Sequence, residues 1–140
     1  MNRATATRLS AYVFAGLAGV VMAFQLAVAL GAPWGEFTQG GQSAGHLPVA
    51  GRILALVSAG VLALFATAIL ARVGRGPLAT GRSRIVTAIA WIAAAYSGIA
   101  VLLNAASRAP QERMVWVPVS LVLFVTSLIA LLGTRRPKAK

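Results

Sequence analysis

Acids are almost missing from this 140-residue chain: two Asp or Glu stand against thirteen Lys or Arg, a formal net charge of +11. Cysteine is absent. That removes disulfides, thiolate metal sites and cysteine nucleophiles. One histidine is too few for a multi-histidine metal centre within one chain. There is no HExxH, Walker loop or GxGxxG, so the usual zinc and nucleotide signatures are excluded. No cofactor, metal or catalytic residue is expected from the pattern. Charged residues make up 11% of the chain, where a soluble domain carries about a quarter.

What is there is grease. The chain is 59% hydrophobic, with mean hydropathy +0.81. So much apolar surface exceeds what a water-soluble core of this size hides, so lipid is the expected solvent. About 20 apolar residues cross a bilayer as a helix. Four runs qualify: about 9–30, 53–71, 85–103 and 114–132. They are continuously apolar and do not alternate, which favours helices over a barrel. The expected fold is therefore all-α: four transmembrane helices in an up-down antiparallel bundle, as a single domain. Ala27-Val28-Ala29 has the small residues of a signal cleavage site. The apolar run before it is long for a signal, so the first span is expected to be retained.

The basic residues sit at the ends of these runs, a membrane pattern that argues against nucleic acid as a partner. Arg3, Arg8, Arg72, Arg75, Arg82, Arg84, Arg135, Arg136, Lys138 and Lys140 fall on one side of the four spans. Only Arg52, Arg108 and Arg113 fall on the other. Positive charge marks the cytoplasmic side, so both termini and the inner loop 72–84 are expected inside, and outer loops 31–52 and 104–113 outside. Arginine outnumbers lysine and alanine abounds, a GC-rich bacterial habit, so the expected location is a bacterial inner membrane. The basic loop and tail are expected to lie against anionic head groups, each Arg worth on the order of 1 kcal/mol there.

Small residues recur every fourth position in the first span (Ala11, Ala15, Gly19, Ala23) and in the second (Gly51, Ala55, Ala59, Ala63). Such rows let helices approach closely in lipid. Ala15, Gly19, Ala23, Ala55, Ala59 and Ala63 are thus the expected packing residues of a tight antiparallel pair. Pro118 is expected in the first turn of the fourth span, where a missing N–H costs little. Trp34 and Trp116 read as interface aromatics. Trp91 and Tyr96 lie deeper, with Gln25, Ser97 and Asn104 as candidate partners for their polar atoms.

The least greasy stretch is Leu30–Arg52, which holds six of the fourteen glycines, two of the six prolines and the only histidine. Pro33 stops the first helix, the glycines let the chain fold back over the helix ends, and Arg52 can reach outward to phosphate. An ordered cap is expected, with Trp34, Glu36, His46 and Arg52 as candidate outer-face contacts for a ligand or lipid. The order Gly31-Ala32-Pro33-Trp34-Gly35, Gly40-Gly41, Leu47-Pro48, Arg52 resembles a pattern in small four-span bacterial integral membrane proteins, where the block also joins the first two spans. The resemblance implies a membrane location and this topology, and supplies no activity.

Glu36, His46 and Glu112 are the only titratable groups at the outer side suited to acid–base work. No ionisable residue lies within a span away from its ends, which argues against proton-coupled transport. The preferred expectation is a non-enzymatic accessory or interaction subunit, with membrane lipids and other membrane subunits, or further copies of itself, as partners. The alternative is a lipid or small-solute binder or transporter acting as an oligomer. It would show an outward cavity lined by Trp34, Glu36, His46 and Arg52. A third reading, an enzyme acting on lipid head groups, needs Glu36 and His46 in contact.

Overall fold

The computed structural model describes residues 2–79 and 83–134. Arg82, Arg135, Arg136, Lys138 and Lys140, part of the basic-side tally, lie outside the described residues. The described residues form four long helices: α1 (Arg3–Ala29), α2 (Val49–Arg72), α3 (Arg84–Ala106) and α4 (Pro110–Gly133). Each is long and apolar enough to cross a membrane, and no strand occurs among the described residues. The protein is an all-α, multi-pass membrane protein.

Local signals set the helix ends. The Asn2 side chain accepts from the Thr5 N–H at 3.0 Å, and Ser83 accepts from the Ile85 N–H at 3.2 Å; both cap a helix start. At the end of α1, Ala32 N–H reaches back to the Ala27 carbonyl at 2.9 Å and Gly31 N–H to Val28 at 3.2 Å. This paired closure needs a left-handed residue between helix and loop. Gly31 supplies it, with φ +107°. Pro33 follows and forbids continuation.

The fourth helix begins earlier than its apolar run. Pro110 occupies its first turn, and Pro118 lies inside the helix, two turns from the start. The expectation for Pro118 is thereby corrected. Gln111, Glu112 and Arg113 are too polar to read as span, yet a helix costs nothing to extend into the head-group zone. Pro118 instead removes the N–H that would bind the Met114 carbonyl.

Packing runs around a ring: α1 against α2, α3 against α4 and α1 against α4 make broad contacts, and α2 against α3 is the sparse seam. The main core fills the half of the bundle nearest the termini. Phe14, Phe65, Ile69 and Leu131 are its large residues, and Ala11, Ala18, Ala68, Ala90, Ala93 and Ala130 let the backbones close around them. The buried line on α1 runs Thr7, Ala11, Phe14, Ala18, mixing steps of three and four. A strict four-residue step overshoots each turn by about 40°, so a row held at that spacing winds off the contact face. Accordingly Ala55 and Ala59 are buried, Ala15 and Gly19 half-buried, and Ala23 and Ala63 exposed.

Arg72 departs from the head-group role expected of it. It closes α2 and donates from Nη1 to Thr87 Oγ1 at 2.9 Å and from Nη2 to Thr134 Oγ1 at 3.2 Å. One cation thus ties α2, α3 and the end of α4 together, and its charge suits the carboxyl end of its own helix.

Candidate functional site

The loop joining α1 and α2 is a pinned cap. After Gly31 the chain makes two short 3₁₀ turns, Gly35–Phe37 and Gln39–Gly41. Gly35 N–H donates to the Gly45 carbonyl at 2.7 Å, folding the loop across itself. A methyl group at Gly35 would collide with the carbonyl oxygens of Ser43 and Gly45, so only glycine fits this fold-over. Leu47 is buried against Val28, Ala29 and Ala55 in a second small core under the cap.

Three ties fix the cap to the bundle. Gln39 Nε2 donates to the Gly51 carbonyl at 2.8 Å. Trp116 of α4 donates its indole N–H to the Phe37 carbonyl at 2.5 Å. Gly40 N–H donates to Glu112 Oε1 at 3.3 Å. Phe24 of α1 lies between the two tryptophans, stacked with Trp34 (5.9 Å between centroids) and edge-on to Trp116 (4.8 Å). Part-buried hydrogen bonds of this kind contribute about 1 kcal/mol each, so together they hold a loop of this length in place.

The four residues singled out in the loop do not form one site. Arg52 Nε donates to the Ala29 carbonyl and His46 Nδ1 pairs with the Gly31 carbonyl, both at 2.6 Å. The two therefore satisfy carbonyls at the end of α1, and the expectation that Arg52 reaches outward is corrected. Trp34 packs on Phe24, and Glu36 is exposed. Glu36 and His46 make no hydrogen bond to each other.

The cavity lies elsewhere. About 220 Å³ opens in the half of the bundle nearest the cap, where the large core residues have run out. Thr38 of the cap and Glu112 and Trp116 of α4 line it at that end, and Leu62 and Leu123 line it toward the core. Gln25, Ser58, Tyr96, Asn104 and Ser120 add polar groups to an otherwise apolar wall. Tyr96, Ile99 and Leu103 line it too and are exposed on α3, so the mouth faces the sparse seam beside α2.

Glu112, named in the sequence as an outer-side titratable group, is not among the candidate ligand contacts expected there. It is 7% exposed, which for an acid demands partners. The Gly40 N–H and the Ser107 hydroxyl both donate to it. It stands at the third position of α4, where a helix end favours negative charge. The available signal was Ala109-Pro110 as a helix start, which places Glu112 in the first turn. Asn104 donates to the Trp116 carbonyl and to Ser120 Oγ, each at 3.4 Å, and Ser97 to the Ala93 carbonyl at 2.8 Å. Neither bonds Trp91 or Tyr96, whose ring instead meets Phe65 edge-on at 5.4 Å.

Compared with protein-family models, curated proteins and solved structures, the chain finds no match. The class is therefore the one the fold and cavity define: a small four-helix membrane protein with a pinned cap and a side-opening cavity.

Proposed function

We propose that this chain is a bacterial inner-membrane protein, both termini inside, that binds a small amphiphile entering sideways from the outer half of the bilayer. The single observation that carries this is the cavity: about 220 Å³, mixed polar and apolar, beside the α2–α3 seam. A protein cavity of about 150 Å³ already holds benzene, so this one takes a ring or a short chain with a polar head. Ligand sites of this kind join an apolar wall to a few placed polar groups. The pinned cap supports the reading, because it closes the aqueous end and leaves the bilayer as the way in. The excess of Arg on the side of the termini supports the orientation.

Native mass spectrometry of protein released from membranes tests it. A bound small molecule is expected on the wild type and is expected to be lost from Ala100→Phe, which fills the cavity wall. A bare wild type, or equal adducts on both, sinks the reading.

A second reading, a subunit that joins another membrane helix or a second copy, is favoured by a different observation. A shallow apolar groove between α1 and α4 is lined by Val13, Leu17, Val20, Pro118, Val119 and Val122, and the neighbouring Gly16 and Gly19 have open space where side chains would stand. Light scattering in mild detergent separates the two: a strict monomer with no companion removes this reading and leaves the first.

A further inference from the structure

The geometry points to a primary ammonium group on an apolar body as the ligand of the α2–α3 cavity, held by the Glu112 carboxylate with the carbonyl oxygens of Gln25 and Asn104. The inference rests on the cavity being a binding site. Its ground is the charge on the wall: one carboxylate and no cation among the described residues.

Among the described residues that line the cavity, Glu112 is the only acid and none is basic. A carboxylate offers about four acceptor positions and no donor; Gly40 N–H and the Ser107 hydroxyl use two of them. Asn104 spends its N–H groups on Trp116 and Ser120, and its carbonyl oxygen takes no donor from the described residues. Gln25 lines the cavity and bonds no described residue. The wall carries one carboxylate and no cation, beside neutral hydroxyl and amide groups at Thr38, Tyr96 and Gln25 that both donate and accept. An ammonium brings three donors and the opposite charge, whereas an alcohol brings one donor and no charge. A head that carries only negative charge is disfavoured by the same carboxylate. The apolar remainder of the ligand follows Ile99 and Leu103 through the mouth to lipid.

Two sources carry this chemistry: a free lipophilic amine and an aminophospholipid head group. Both are assayed by calorimetry on the full chain in non-ionic detergent, with dodecylamine, dodecanol and dihexanoyl-phosphatidylethanolamine as probes. Dodecylamine is expected to bind at least about tenfold tighter than dodecanol, since charge-assisted hydrogen bonds are the stronger ones. Glu112→Gln, of the same shape, is expected to abolish that preference, and Glu36→Gln, at an exposed acid, to keep it. Binding of the phosphatidylethanolamine with the same dependence on Glu112 identifies the lipid as the source; binding of dodecylamine alone identifies the free amine.

Should Glu112→Gln fail to fold, Gln25→Leu serves instead, because Gln25 supports no other described residue. A preference reduced severalfold then upholds the inference, and an unchanged preference overturns it. Equal binding of amine and alcohol, both weakened by Ala100→Phe, overturns the ammonium and leaves the cavity as a binding site. Binding that ignores Ala100→Phe, or no binding at all, overturns both.

Discussion

Arg52, in the first turn of α2, donates from Nε to the carbonyl of Ala29, the last residue of α1, at 2.6 Å. The contact crosses between two antiparallel helices and closes a carbonyl the helix itself leaves open. Arg52→Leu is expected to lower stability by about 2 kcal/mol, the range for a hydrogen bond to a charged group. Arg52→Lys is expected to recover only part of that, since an ammonium lacks the guanidinium's fixed fork. Unfolding midpoints in one detergent measure both. A leucine variant as stable as the wild type would show that the bond contributes nothing.

Trp116 joins two tasks: its ring meets Phe24 and its N–H holds Phe37. Trp116→Phe keeps the ring and removes the donor. It is expected to cost about 1 kcal/mol and to speed hydrogen exchange in residues 35–41, with α2 unaffected. Exchange that is unchanged in the cap would mean the other ties suffice to hold it.

The four helices were legible because a span needs only a long apolar run, and Leu9–Leu30 or Ile53–Ala71 announces itself. The cap was legible in outline, since Gly31-Ala32-Pro33 carries its own stop signal. The site was not. Arg52 and His46 look like outward-reaching groups until the end of α1 is set beside them, and no spacing rule says that its carbonyls need two donors. Glu112 sits 72 residues from Gly40, so its burial depends on a loop that hydropathy treats as solvent. The row Ala15, Gly19, Ala23 runs from half-buried to exposed, because a four-residue step is not the helix period.

That drift sets apart glycines that look alike in sequence. A methyl group at Gly19 meets nothing within 4 Å, so Gly19→Ala is expected to change stability by less than about 0.5 kcal/mol. Gly35→Ala forces the cap open against two backbone oxygens and is expected to cost on the order of 2 kcal/mol. Ala59→Leu overfills a buried position on α2 and is expected to cost a similar amount. The three midpoints, taken in one detergent, order the sites. A Gly19 variant less stable than the Gly35 variant would contradict the packing described above.

Orientation is open to a direct assay because the chain has no cysteine, so one introduced thiol is the only one present. Gln42 is exposed in the cap and Ser83 is exposed at the start of α3, at opposite ends of the bundle. The excess of Arg flanking Ser83, against the few cations near the cap, predicts that the cap faces outward. Gln42→Cys is therefore expected to react with a membrane-impermeant maleimide on intact cells, and Ser83→Cys only after permeabilisation. The reverse pattern would turn the cavity mouth toward the inner leaflet. Its amphiphile would then come from the cytoplasmic half of the bilayer, with the wall and the Glu112 carboxylate unchanged.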